Sequence, residues 1–195
     1  MRLHLHLTVA FILALTLLPL QPATAQQRPA QGPGPGQFSV EELVSAGHSF
    51  FGGVSAAIAS GVESAVGRWG YPNAYVLGQE GSGSFVAGLR YGDGRLRTKV
   101  GADLPIFWQG PSLGWDFGGD GSRVMILVYN VRQPQDLLRR FVGLSGSAYF
   151  VGGVAVTALT AEGFVIVPIR SGLGLRLGAN IGYMKFTDRP EWNPF

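Results

Sequence analysis

The segment from Trp108 to Arg123 reads WQGPSLGWDFGGDGSR, and Gly110 to Gly114 within it matches G-x-S-x-G. A serine in that signature acts as a nucleophile when it sits on a tight strand-to-helix turn, with a histidine to take its proton. The sequence argues against both conditions. Ser112 is followed by LGWDFGGDG, a run too rich in glycine to continue as a helix. Of the three histidines, His4 and His6 fall in the leader described below, and His48 precedes the serine. The chain order nucleophile, acid, histidine that accompanies this motif is therefore unavailable. Gly110 and Pro111 are expected to make a turn, Gly114 a bend, and Gly118–Gly121 a hairpin loop. The chain is read as non-enzymatic, with a hydrolase acting on envelope polymers through Ser112 and His48 as a third-ranked alternative.

Metal and phosphate chemistry lack their residues too. There is no cysteine, so neither a thiolate zinc site nor a disulfide is available. Asp116 and Asp120 lack the acidic density of a calcium loop. The run Gly172 to Gly178 has one residue too many for G-x-G-x-x-G and no helix after it. No cofactor is expected. What remains is a set of arginines within strand patterns: Arg90, Arg95, Arg97, Arg123, Arg170 and Arg176. One reading has them solvated or paired with Asp116, Asp120 or Glu80. The functional reading places an arginine at the rim of an apolar pocket, gripping an anionic headgroup. On that reading the ligand-binding candidates are Trp108, Trp115, Arg123, Arg170 and Arg176. Arg170 and Arg176 are expected at one rim, because a cation deeper in an apolar cavity would need a partner.

These residues must be carried by strands. From Asn73 onward the apolar period is two, and Gly-rich signals separate short runs. Strands are predicted at 73–79, 84–91, 95–101, 105–109, 112–117, 123–130, 147–159, 163–169 and 173–186, with turns at Gly81–Gly83, Gly92–Gly94, Gly119–Gly121 and Ala161–Gly163. A short helix is predicted over 133–141, with Pro134 in its first turn. Upstream, Ser39 and Glu42 form a capping-box signature ahead of a helical apolar stripe from Val40 to Val66. Gly47, Gly52 and Gly53 predict a kink or close packing near Gly52, and Gly70 and Pro72 end the segment. The fold class is mainly β: a small Gly-rich antiparallel β-barrel with one N-terminal amphipathic helical segment and a short helix near 133–141.

The N-terminus sets the compartment. Arg2 precedes the apolar run LTVAFILALTLLPL, and A-T-A ends at Ala25, the pattern of a Sec-type signal peptide cleaved there. Residues 26–37, QQRPAQGPGPGQ, read as a disordered Pro/Gly-rich tether. Residues 38–195 are expected to form a single helix-plus-barrel domain. The net charge of +3 includes Arg2, and without it 26–195 carries +2. No Lys/Arg block marks a nucleic-acid surface. Localisation in the periplasm follows.

The blocks GYPNAYVLGQEG at 70–81, FVAGLRYGDGRL at 85–96, WQGPSLGWDFGGDGSR at 108–123, LVYN at 127–130, GSAYFVGG at 146–153, PIRSGLGLRLGANIGYMKFT at 168–187 and WNPF at 192–195 carry a family resemblance. Together they resemble the EipA-like envelope-integrity family of alphaproteobacteria. The resemblance implies a periplasmic β-barrel with an upstream helical segment, needed for envelope integrity under stress. It brings no catalytic residues. The Gly-rich strands are more distantly similar to SYLF domains, which implies lipid as the ligand class. The expected partners are a lipid or envelope glycolipid and envelope proteins, with peripheral membrane contact and no nucleic acid. The alternative is a small integral outer-membrane barrel. The strand at 173–186 alternates as a lipid-facing strand would, but most predicted strands fall short of the ~9–11 residues needed to span.

Overall fold

The computed structural model describes residues 32–52, 55–83, 87–113, 122–144, 147–171 and 182–193, all within the compact unit Gly32–Phe195. The predicted signal peptide and the start of the tether lie outside these residues. The tether's last residues are pinned to the domain. Gln37 Oε1 accepts from the Gly34 N–H at 2.8 Å, and its Nε2 donates to the Tyr71 carbonyl at 3.0 Å.

The capping box forms as the sequence predicts. The Ser39 hydroxyl accepts from the Glu42 N–H at 3.3 Å, and the Glu42 carboxylate accepts from the Ser39 N–H at 2.8 Å. Helix α1 then runs Val40–Phe51 and ends at Gly52, whose φ of 60° breaks the helix. A second helix, α2, runs Ser55–Trp69. The helical segment is thus a pair of helices rather than one kinked helix. Gly47 is the contact between them: a Cβ there would lie 2.9 Å from Ile58 Cγ2.

Among the described residues ten strands follow: β1 Ala74–Gly83, β2 Ala87–Thr98, β3 Asp103–Leu113, β4 Ser122–Tyr129, β5 Arg140–Gly143, β6 Tyr149–Val151, β7 Val154–Val156, β8 Leu159–Ala161, β9 Phe164–Ser171 and β10 Tyr183–Thr187. Eight of them close a ring in the order β4-β1-β2-β3-β10-β5-β8-β9, and β9 returns to β4. Every ladder is antiparallel. The expected barrel is present. The β6–β7 hairpin adds to β9 beside it.

Four predicted boundaries move. Gly92–Gly94 is not a turn but the middle of β2, and Gly110–Pro111 is not a turn but part of β3. At Gly92 the place of a Cβ is already taken by the Trp108 indole, so this glycine serves close approach inside the barrel. The run 147–159 is not one strand: it folds back at Gly152 and Gly153, both at positive φ. The predicted helix at 133–141 contracts to a 3-10 turn at Pro134–Leu137 followed by β5.

Alternation divides the core in two. Val76, Leu96, Ile106, Val124, Ile126, Val128, Phe141, Ile166, Met184 and Phe186 fill the barrel interior. The intervening residues Tyr75, Met125, Leu127, Tyr129, Val167 and Ile169 pack outward against Leu43, Phe51, Ile58 and Val62 of the helices. Strand β4 is buried on both faces from Val124 to Tyr129, which accounts for its unbroken apolar sequence.

Candidate functional site

Strand β1 places Ala74, Val76, Gly78 and Glu80 on its inward face, so the alternation that fills the barrel also carries a carboxylate into it. Glu80 is 5% exposed and pairs in register with Gly92 of β2 and Ser122 of β4. Arg170 occupies the equivalent inward position near the end of β9, also 5% exposed. Between these strands lies β4, and the two long side chains meet across its width: Arg170 Nε donates to Glu80 Oε1 at 2.5 Å. From β3, Trp108 Nε1 donates to Glu80 Oε2 at 3.1 Å. From β2, Arg90 Nε approaches Glu80 Oε1 at 3.5 Å, its side chain 23% exposed.

One carboxylate therefore receives two guanidinium groups and an indole. Burial alone would push the Glu80 carboxyl up. The charges of Arg170 and Arg90, with the hydrogen bonds from Arg170 and Trp108, outweigh that and hold it below its ordinary value of 4.5. It is ionised at neutral pH. Trp108 is locked in place by the same bond and by Phe186, whose ring centroid lies 6.0 Å away. The cluster sits at the barrel end where β1, β3 and β9 finish and β2 and β4 begin.

The predicted ligand-binding residues divide accordingly. Trp108 and Arg170 are brought together, joined through Glu80. Arg170 is a buried ion-paired group rather than an open rim cation, because its partner lies on the same interior face. Arg123 is elsewhere. It sits one residue out of phase on β4, exposed, and its Nη1 donates to the Phe50 carbonyl of α1 at 2.9 Å on the barrel's outer side. Trp115 and Arg176 lie outside the described residues. Sequence reasoning did not single out Glu80 as the hub or Arg90 as its second cation. The available signal was a carboxylate in phase with the apolar positions of a strand, which is costly without cationic partners.

Ser112 lies in the β3 ladder opposite Gly88, and His48 is exposed on α1. Among the described residues no group of three or more His, Asp or Glu side chains is placed to hold a metal ion.

Comparison with known proteins gives two findings. The model of the family described as envelope integrity protein A matches residues 36–195. A crystal structure of a beta-barrel-like, uncharacterized protein from Brucella abortus is similar at 56% identity and a TM-score of 0.75, covering 82% of this chain and 99% of that one. No curated protein matches.

Proposed function

This chain belongs to the envelope integrity protein A family, and from that premise we propose that it serves the envelope as a periplasmic, non-catalytic barrel whose mouth holds an anionic phosphate group of a lipid or lipopolysaccharide component. A single observation carries the reading: Arg90 and Arg170 converge on one carboxylate, Glu80. Guanidinium groups suit phosphate by their forked geometry, and Arg90 is the one of the two that stands partly exposed. Arg170 anchors the arrangement from within, and Arg90, the more exposed of the pair, reaches the ligand. The leader ending at Ala25 supplies export. The positions of Ser112 in a ladder and His48 on an exposed helix face support a role without catalysis.

Vesicle cosedimentation tests this. Vesicles of phosphatidylglycerol, or of phosphatidylcholine doped with lipopolysaccharide, should retain the purified protein, whereas phosphatidylcholine alone should not. Arg90→Gln should weaken retention, and Arg123→Gln, altered on the outer side of β4, should not. Inorganic phosphate competing at millimolar level would assign recognition to the phosphate itself. Equal retention on all three vesicle types, or none on any, would refute the proposal.

A further inference from the structure

A second site lies on the outer wall. Tyr91 and Asp93 of β2 project from the face opposite the barrel interior, and their register partners on β3 are Gln109 and Phe107. These four side chains form the floor of a groove of about 360 Å³, and the C-terminal segment at Glu191 and Trp192 forms its other wall. That volume lies within the range of about 300–1,000 Å³ for small-molecule sites.

The segment is fastened to the wall. Tyr91 Oη donates to the Trp192 carbonyl at 2.8 Å, Gln109 Nε2 to the Glu191 carbonyl at 3.3 Å, and Lys185 Nζ to Glu191 Oε2 at 3.0 Å. Although its backbone is held, the Trp192 side chain is 86% exposed. Its ring meets Tyr91 edge-on at 5.5 Å and leaves an indole face open. Gln109 is 1% exposed, and with its Nε2 committed to Thr187 and Glu191, its Oε1 has no partner among the described residues.

We propose that this groove binds a neutral glycan. Its aromatic groups, Tyr91, Phe107 and Trp192, offer apolar faces. Its polar groups, Asp93 and Glu191, are acceptors. Lys185 and Arg189 both pair with Glu191, and Asp93 stands exposed on the groove floor as an acceptor. A ligand with an apolar face and several hydroxyl donors on its edge complements these groups, which describes a sugar ring. Trp108 lines this groove and also bonds Glu80, but the glycan reading does not depend on the phosphate reading.

Calorimetric titration of the purified protein with chitotetraose, mannotetraose and maltotetraose tests this, with tetramethylammonium as the cationic alternative. At least one tetrasaccharide should bind with Kd below about 10 mM. Trp192→Ala, at an exposed position that leaves the melting temperature in place, should weaken it roughly fivefold or more. Asp93→Asn should weaken it as well, and Arg90→Gln should not. The proposal is overturned if no tetrasaccharide binds, if binding survives Trp192→Ala unchanged, or if tetramethylammonium is the only ligand.

Discussion

Removing the Glu80 carboxylate takes from buried Arg170 its ion-pair partner, and that burial sets the scale of the consequence. Breaking a buried pair by deleting one partner costs about 3–5 kcal/mol, so Glu80→Gln should lower the denaturation free energy by that order in urea titration. Acid should act on the same group. Its folded-state pKa is depressed by Arg170 and Arg90 against the opposing push of burial. The stability it contributes is therefore complete above the ordinary value of 4.5 and is lost as pH falls through the lower folded value. Denaturation midpoints of the wild type should drop as pH falls below 4.5, and Glu80→Gln should lack that component. Tyr129 offers the opposite case. Its hydroxyl is buried under the helices with no hydrogen-bond partner among the described residues, and burial raises its pKa. Tyr129→Phe removes an unsatisfied group at nearly constant shape. It should be neutral or stabilise by about 1 kcal/mol, read as a raised urea midpoint.

At the scale of the element, β2 depends on glycines that local sequence rules assign to turns. Gly92→Ala would drive a methyl into the Trp108 indole. It should cost about 1–3 kcal/mol through overpacking and loosen the Trp108–Glu80 bond, visible as a shifted indole N–H resonance. The same position explains what the sequence hides. Gly-Asp-Gly is a turn signal in any window of a few residues, and only the indole from β3 reveals that the glycines clear space for a ring. Local signals were sufficient elsewhere. The capping box at Ser39 and Glu42, the stop at Gly70 and the inward-outward alternation of β1, β4 and β9 were readable, because each depends on neighbours in sequence. The pairing of Glu80 with Arg170 was not, because it spans 90 positions of chain and the width of a strand. Trp108 and Arg170 were found as candidates, while the groove behind Tyr91 and Trp192 depends on a cross-strand register that no local window contains.

For the molecule as a whole, polarity favours the barrel outside the membrane over the membrane barrel. A membrane barrel has a polar interior and an apolar outer band. Here the interior is packed with Val, Ile, Leu, Phe and Met, while the outer faces of β2 and β3 carry Asp93, Arg95, Arg97, Asp103 and Gln109. Helices α1 and α2 occupy the outer face of β1, β4 and β9. Strands β1, β2 and β3 have 10, 12 and 11 residues, whereas β4 and β9 have 8 each, so the ring is not uniformly as long as the ~9–11 a membrane strand needs. The protein should accordingly show no heat-dependent shift in gel mobility after detergent extraction, and carbonate washing should release it from membranes. Electrostatic retention at the barrel mouth should weaken between low salt and about 0.15 M, where the Debye length falls to ~8 Å.

The central claim is that the barrel end at Glu80, Arg170 and Arg90 receives a phosphate headgroup, and Trp108 is its built-in reporter, since its indole N–H is bonded to the carboxylate the arginines share. Titrating labelled protein with dihexanoyl phosphatidylglycerol below its micelle concentration, by NMR, should move the Trp108 indole N–H and the Arg90 Nε–H together along one saturating curve, with dihexanoyl phosphatidylcholine producing a much smaller response. Shifts confined to α1 and α2, or identical responses to the two lipids, would contradict the account.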